Sequence, residues 1–177
     1  MVVSEETLAI SRGVKLLLSD VDGVLTDGKL IYSDAGLEAK AFHVRDGLGV
    51  KLWRRCGYKF GLITARESKT VQKRADELNV DFVFQSSPEK FRTIGEIAER
   101  EAIELSEICY VGDDLHDLSA IEKVGLGAAV NDAADEIQTA ADLVLSKNGG
   151  DGAIRELVEF LLKSKGEWEK TIKPFFA

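Results

Sequence analysis

The fold of this chain follows from residues 14–27, which are Val14-Lys15-Leu16-Leu17-Leu18-Ser19-Asp20-Val21-Asp22-Gly23-Val24-Leu25-Thr26-Asp27. A nearly unbroken apolar run of strand length opens this segment, as is typical of a strand buried in a parallel sheet. Two aspartates and a glycine follow. Side chains two positions apart share a face of a strand, and a turn at Gly23 lets Asp20 and Asp22 converge beyond the sheet. The segment therefore predicts a chemical site at the carboxyl end of a buried strand.

Two carboxylates this close repel each other, so the site needs a cation, a shared proton or strong hydrogen-bond donors. A hard cation such as Mg2+ prefers oxygen ligands and is the simplest of these answers. The alternative is a turn in which Asp20 and Asp22 only cap backbone amides.

The rest of the chain alternates short apolar runs with amphipathic segments, which predicts a doubly wound parallel sheet of the α/β class with right-handed crossovers. After a hairpin at about 28–43, we expect Asp46 to cap a helix ending near Gly57, Ser68 to open the next helix, and Ser87 with Pro88 to open a third. The segments expected as strands are 58–63, 80–84, 108–112, 127–130 and 143–145, and the later helices are expected at about 118–124, 135–140 and after Gly152.

The segment Asp20-Val21-Asp22-Gly23-Val24-Leu25-Thr26 resembles the first motif, Asp-x-Asp-x-x-x-Thr, of the haloacid dehalogenase superfamily of phosphotransferases. Later segments resemble its remaining motifs in order. Thr64 matches a hydroxyl that donates to phosphate, and Lys90 matches a cation at a helix start. A Thr after a strand is more often a helix cap, and a lysine is more often solvated. A lysine in a first helical turn opposes the helix dipole, so we expect an anion beside Lys90.

The fourth motif is matched by Asp113-Asp114-Leu115-His116-Asp117. The resemblance implies a Mg2+ held by Asp20, the main-chain carbonyl of Asp22 and Asp113, with Asp117 as an outer or water-mediated ligand. Asp114 could serve in either position. His116 and His43 are expected to be solvated, without a part in proton transfer.

The superfamily chemistry splits phosphate ester hydrolysis into two steps through an aspartyl-phosphate. Asp20 would be the nucleophile. Asp22 would protonate the leaving alkoxide and later take a proton from the attacking water.

Longer segments resemble the 3-deoxy-D-manno-octulosonate 8-phosphate phosphatase family. They are residues 20–28, Lys40-Ala41-Phe42-His43-Val44-Arg45-Asp46-Gly47-Leu48-Gly49, residues 112–115 and Gly149-Gly150-Asp151-Gly152-Ala153-Ile154-Arg155-Glu156. The resemblance implies a single phosphatase domain over residues 1–177, without a separate cap domain. It also implies a homotetramer in which the hairpins join centrally and neighbouring subunits roof each site. A C-terminal tail at about 164–177 could reach a neighbour's site.

A sugar acid phosphate carries a carboxylate, which arginine binds with two parallel hydrogen bonds. Arg45 and Arg66 are the candidates for this contact, with Lys40 the weaker one, and for each the alternative is a solvated charge. Some members of the family carry Arg where this chain has Asp151. Because that positive charge is lost, a nine-carbon 2-keto-3-deoxy sugar acid 9-phosphate stays open as the substrate.

Two other functions remain possible at this stage. A signalling receiver domain also places an aspartate, a threonine, a lysine and Mg2+ at strand ends, but it takes its nucleophile from a later strand. A catalytically silent oligomerisation module, of the kind fused to nucleotide-sugar synthetases, would not need the intact set of acids.

Composition narrows the class of protein further. The chain has 177 residues, 45% of them hydrophobic, with a net charge of −8 and a pI near 4.9, so we expect one domain that binds neither nucleic acid nor membrane. Cys56 and Cys109 lack metal-ligand spacing and are expected to be reduced core thiols. Residues 1–13 lack the features of a signal peptide, and a cytoplasmic protein is expected.

Overall fold

The computed structural model describes residues 3–176 of the chain. Its strands are β1 (Leu16–Ser19), β2 (Ile31–Tyr32), β3 (Glu38–Ala39), β4 (Lys59–Ile63), β5 (Phe82–Phe84), β6 (Ile108–Gly112), β7 (Leu126–Ala129) and β8 (Leu143–Val144). Its α-helices are α1 (Glu5–Gly13), α2 (Val44–Arg55), α3 (Lys69–Leu78), α4 (Lys90–Glu101), α5 (Leu118–Ile121), α6 (Asp135–Ala140), α7 (Ala153–Ser164) and α8 (Trp168–Ile172). Short 3-10 turns lie at Leu105–Glu107, Leu115–Asp117 and Lys173–Phe176.

Six parallel strands form the central sheet in the order β5-β4-β1-β6-β7-β8. From β1 the chain first moves toward β5, then returns to β6 and continues toward β8. With right-handed crossovers, this reversal places the helices of the two halves on opposite faces of the sheet. The predicted doubly wound α/β fold is confirmed, and its reversal point lies between β1 and β6.

Strand β1 lies at the middle of the core because both of its neighbours are paired to it over its whole length. Its four residues are all buried. Helix α7, which packs mainly on α2, contributes a row of fully buried apolar side chains to the core, which are Ile154, Leu157, Val158, Leu161 and Leu162. A strand surrounded in this way holds its carboxyl end rigidly, and that end carries Asp20.

Two helix starts differ from the prediction. His43, not Asp46, caps α2, since its imidazole Nδ1 accepts from the Arg45 amide. Asp46 lies inside the first turn, where its carboxylate accepts from the Arg155 amide instead. Helix α4 starts at Lys90 with Glu89 as its N-cap, because the Ser87 hydroxyl hydrogen-bonds to Thr93 and not to a backbone amide.

The helix predicted at 118–124 is shorter than expected, since a 3-10 turn over Leu115–Asp117 precedes α5. Cys109 is buried as predicted, whereas Cys56 is only half-buried, and both are free thiols. Among residues 3–176, no helix combines the length and the apolar character needed to span a bilayer.

The predicted hairpin is present as the antiparallel pair β2 and β3. Four of its large apolar side chains are exposed, namely Leu30 (48%), Ile31 (51%), Tyr32 (58%) and Leu37 (70%). The hairpin therefore packs little of its apolar surface on the rest of the chain.

Candidate active site

The polar side chains that follow three neighbouring strands meet in one pocket. Asp20 follows β1, Thr64 follows β4 and Asp113 follows β6, and parallel strands bring their carboxyl ends to the same sheet edge. The pocket has a volume of about 300 Å3. Its lining residues are Asp20, Asp22, Thr64, Ala65, Arg66, Lys90, Asp113, Asp114, His116 and Asp117.

Lys90 reaches this pocket from the start of α4 and is 97% buried, with an exposed fraction of 3%. Its Nζ donates to Asp20 Oδ1 at 2.7 Å and to Asp117 Oδ1 at 2.5 Å. The anion expected beside this lysine is thus present twice. Burial by itself lowers the pKa of Lys90, but the charges of Asp20 and Asp117 outweigh it and hold that pKa above its ordinary value.

Asp117 is the most fully bonded carboxylate of the site. Its Oδ1 accepts from Lys90 and from the Tyr110 hydroxyl at 2.6 Å. Its Oδ2 accepts from the backbone amides of Asp113 at 2.9 Å and Asp114 at 3.2 Å. Because these donors contact both oxygens, Asp117 is less free than Asp20 or Asp113 to bind a metal directly.

The protein only partly compensates the negative charge that Asp20 and Asp113 have when ionised. Burial, followed by the repulsion of Asp117, raises the pKa of Asp20 to about 6 against the opposing charge of Lys90. Burial, followed by the charges of Asp20 and Asp117, raises the pKa of Asp113 to about 8. Both carboxyl groups would ionise more readily with a cation beside them.

These residues fit a divalent cation. Asp20, Asp113 and Asp117 each have a carboxylate oxygen within 4.8 Å of the others. Oxygen-only donors of this kind suit Mg2+, which also keeps several waters. With Asp117 occupied by its donors, Asp20 and Asp113 are the carboxylates available as direct ligands.

The carboxylate of Asp22 lines the same pocket and lies beside the end of the hairpin. Its Oδ1 forms an ion pair with Lys40, whose side chain is 1% exposed. Its Oδ2 lies 3.8 Å from Arg66 Nε, and neither of these buried atoms has a hydrogen-bond partner among the described residues. Glu38 connects the two cations, at 2.9 Å from Arg66 Nη2 and 3.5 Å from Lys40 Nζ. Asp22 and Asp20 thus have different charged neighbours.

Gly23 and Thr26 shape the turn that separates the two aspartates. Gly23 has φ +104°, and a Cβ there would lie 1.9 Å from Asp113 Oδ2. The Thr26 hydroxyl donates to the Val21 carbonyl at 3.3 Å and accepts from the Gly23 amide at 3.4 Å. The first motif therefore needs its glycine for space and its threonine to close the turn.

Arg45, predicted as a substrate contact, does not line this pocket. It lies on the exposed start of α2 and lines a larger cavity of about 730 Å3, together with Asp151 and Arg155. Asp151 is exposed and lies 3.8 Å from Lys147. The pocket thus includes Arg66 but not Arg45, Lys40 reaches it only through its ion pair with Asp22, and Asp151 lies outside it.

The two histidines also differ from each other. His116 lies in the pocket wall and is exposed, as expected for a solvated side chain. His43 is half-buried and caps α2. Neither contacts Asp20 or Asp22.

Sequence reasoning missed Tyr110 and Glu38. Tyr110 is fully buried inside the apolar strand β6, and a hydroxyl there required a partner, which is Asp117. Glu38 gave no comparable signal, since it lies in a polar hairpin and only the folded chain brings it to Arg66.

The sequence is similar to known hydrolases and phosphatases. A profile of haloacid dehalogenase-like hydrolases matches residues 82–157. The 3-deoxy-D-manno-octulosonate 8-phosphate phosphatase KdsC of Escherichia coli K12 is 38% identical over 168 residues, which cover 95% of this chain and 89% of the relative.

Solved structures agree closely with this fold. The 3-deoxy-D-manno-octulosonate 8-phosphate phosphatase of Moraxella catarrhalis, in complex with magnesium, phosphate and KDO, superposes with a TM-score of 0.95 at 36% identity and covers 96% of this chain and 98% of its own. The cobalt-bound phosphatase of Haemophilus influenzae gives a TM-score of 0.90 at 34% identity, covering 95% of this chain and 99% of its own.

Proposed function

Since this chain belongs to the 3-deoxy-D-manno-octulosonate 8-phosphate phosphatase family of haloacid dehalogenase-like hydrolases, we propose that it hydrolyses that sugar acid phosphate in a Mg2+-dependent reaction. The products are the free sugar acid and phosphate. The observation that carries the proposal is the contact of buried Lys90 with Asp20 at 2.7 Å in the pocket that also holds Thr64 and Asp113. This arrangement offers a carboxylate nucleophile, a hydroxyl donor and a cation within the reach of one phosphate group.

In the first step, Asp20 attacks phosphorus and forms an aspartyl-phosphate while the phosphorus–oxygen bond to the sugar breaks. Asp22 donates a proton to the departing alkoxide oxygen. Lys90 offsets the charge between the nucleophile and the phosphate, and Thr64 donates to a phosphate oxygen. Asp20, Asp113 and the main-chain carbonyl of Asp22 would hold Mg2+, which would supply positive charge at the transferring phosphate.

In the second step, Asp22 takes a proton from water, whose oxygen attacks the phosphorus of the intermediate. The bond between Asp20 and phosphorus breaks, and phosphate leaves with Asp20 restored. The two carboxylates have separate proposed roles, and they also lie in different surroundings. Asp20 faces the acidic cluster and Lys90, whereas Asp22 faces Lys40 and Arg66.

Substrate recognition is proposed to use Lys40 and Arg66, which lie on the Asp22 side where the sugar departs. Arg45 could contribute only from another subunit or through a long substrate, since its cavity is separate from the pocket. A nine-carbon sugar acid 9-phosphate remains the alternative substrate. The named relatives and the position of Asp151 outside the pocket favour the eight-carbon compound.

These observations bear differently on the two alternative functions, the receiver domain and the silent oligomerisation module. The interpretation as a signalling receiver domain is wrong, because the chain belongs to a phosphatase family and its paired acids follow the central first strand. A silent module is disfavoured because Asp20, Asp22, Thr64, Lys90 and Asp113 all line one pocket.

The test is a comparison of kcat/KM over a panel of sugar phosphates, with Mg2+ and with a chelator. We expect the octulosonate 8-phosphate to exceed simple sugar phosphates by at least about 100-fold, which corresponds to about 3 kcal/mol of transition-state binding. The chelator should abolish turnover on every substrate. Equal, slow rates on all compounds would contradict the substrate assignment, and turnover that survives the chelator would contradict the metal.

We also propose that the whole chain acts as one phosphatase domain and assembles as a homotetramer through its hairpins. The exposed apolar hairpin side chains support this assembly, because such a patch favours contact with another copy.

The two free cysteines favour a cytoplasmic location, because the cytoplasm keeps thiols reduced. Fractionation of the producing cell would test the location, and recovery outside the cytoplasm would contradict it.

Charging the hairpin should break the tetramer. In the double variant Ile31→Asp, Leu37→Asp, each new carboxylate would be buried unpaired at a central contact, so we expect a fall from four subunits to one or two. Light scattering after gel filtration measures the mass. Val44→Asp, at a side chain 82% exposed outside the hairpin, is the matched control and should keep the mass. An unchanged mass in the double variant would exclude the hairpin as the contact.

A further inference from the structure

The loop between β8 and α7 lies directly behind the turn that carries Asp22. The Gly150 amide donates to the Val24 carbonyl at 2.9 Å. A Cβ on Gly149 would lie 1.7 Å from the Gly23 carbonyl oxygen, and one on Gly150 would lie 2.6 Å from the Asp27 amide nitrogen. The two glycine backbones therefore touch the turn with no side chain between them.

The turn has no room on its other side. A Cβ on Gly23 would meet Asp113 Oδ2 at 1.9 Å, so the Gly23 backbone lies between the loop and a candidate metal ligand. Any push from Gly149 would move Gly23 toward Asp113. The same push would also move the neighbouring Asp22, the proposed proton donor.

The loop itself is fixed from two directions. The Gly149 amide donates to Asp132 Oδ1 at 2.8 Å. On the other side, Asp46 Oδ1 accepts from the Arg155 amide in the first turn of α7, also at 2.8 Å. Asp46 is 1% exposed and comes from α2, more than 100 residues earlier in the chain. A buried carboxylate from a distant helix thus caps α7 and holds the loop that precedes it.

We propose that Gly149 is a positioning residue for the phosphatase site, setting the place of the Gly23 carbonyl, and that Asp46 is the buried anchor of its loop. The inference rests on the proposed function for its effect on turnover. It explains why the Gly-Gly pair and the Arg-Asp-Gly segment, neither of which supplies a group to the pocket, accompany the strand-end motifs in this chain.

The test compares two substitutions that each add one methyl group to this loop. Gly149→Ala places the methyl against the Gly23 carbonyl without unfavourable φ. Gly152→Ala strains the backbone at φ +94° but meets its nearest atom, in His43, at an ordinary 3.8 Å. We expect Gly149→Ala to lower kcat at least about 30-fold with less than a threefold change in KM. Gly152→Ala should lower the melting temperature yet keep kcat within threefold. Equal loss of kcat in both variants, or wild-type kcat in Gly149→Ala, would overturn the proposal.

Asp46 gives a second test if Gly149→Ala does not fold. Asp46→Ala removes the acceptor of the Arg155 amide, whereas Asp46→Asn keeps an oxygen there. We expect kcat to fall about tenfold in the alanine variant and to recover within threefold in the asparagine variant. Hydrogen exchange of the peptide covering 148–152 should quicken only in Asp46→Ala, and unchanged exchange would exclude the anchor. This readout needs no enzymatic activity. An inactive wild-type protein would refute the proposed function, while hydrogen exchange would still test whether Asp46 anchors the loop.

Discussion

Replacing Asp20 by asparagine is expected to lower kcat by at least about 10^4-fold, because the carboxylate that attacks phosphorus is lost and an amide is a poor nucleophile in its place. The loss should be the same with saturating Mg2+. Release of phosphate from the octulosonate 8-phosphate, measured continuously, checks the prediction.

The fold should survive this change. Lys90 keeps Asp117 as its partner at 2.5 Å, and the acidic cluster loses one charge, so thermal unfolding should show a cooperative transition near that of the wild type. Asp27→Asn is the matched control, since Asp27 lies in the same turn but is exposed and pairs only with Lys29. Turnover above about 1% of the wild-type rate in Asp20→Asn would rule out Asp20 as the nucleophile.

Replacing Lys90 by methionine should both lower kcat strongly and destabilise the protein. Methionine keeps most of the length of the side chain but leaves Asp20 and Asp117 as buried acids without their shared cation. Removing one partner of a buried ion pair costs about 3–5 kcal/mol. We expect a loss of that size in the free energy of urea unfolding and a fall in kcat of about 100-fold or more. Added Mg2+ should recover more stability in this variant than in the wild type, since it restores positive charge to the cluster.

Lys29→Met serves as the comparison for this loss. Lys29 is 75% exposed and forms its ion pair with Asp27 at the surface, where such pairs contribute about 0–1 kcal/mol. If Lys90→Met were no more destabilising than Lys29→Met, the buried network would not have the energetic role that its geometry indicates.

Much of the fold could be predicted from the sequence because its signals are local. The apolar run before Asp20 sets the central strand, and the alternation of strands and amphipathic helices sets the parallel sheet. The positions of Asp20, Thr64 and Asp113 at strand ends then place them at one edge. Lys90 joined this set through its resemblance to a known motif, and its buried contacts explain why that lysine is not solvated.

The orientation of the remaining side chains could not be predicted in this way. Arg45 and Arg66 looked equivalent in sequence, but only Arg66 enters the pocket, since Arg45 lies at the exposed start of α2. Asp46 looked like a helix cap for its own helix and instead binds the start of α7. The positions of these side chains depend on contacts between residues that are distant in the chain. A local sequence pattern does not contain that information.

By itself, the sequence determined the class of fold, the strand ends that carry the site and the residue types that phosphoryl transfer requires, because strand burial and motif spacing are properties of short segments. The tertiary structure decided which charges meet. It turned Asp22 toward Lys40 and Arg66 while Asp20 faces Lys90, and it saturated Asp117 with donors from Tyr110 and two backbone amides. The physical reason is that the energy of a charge depends on its burial and on neighbours a few ångströms away, and folding alone selects those neighbours.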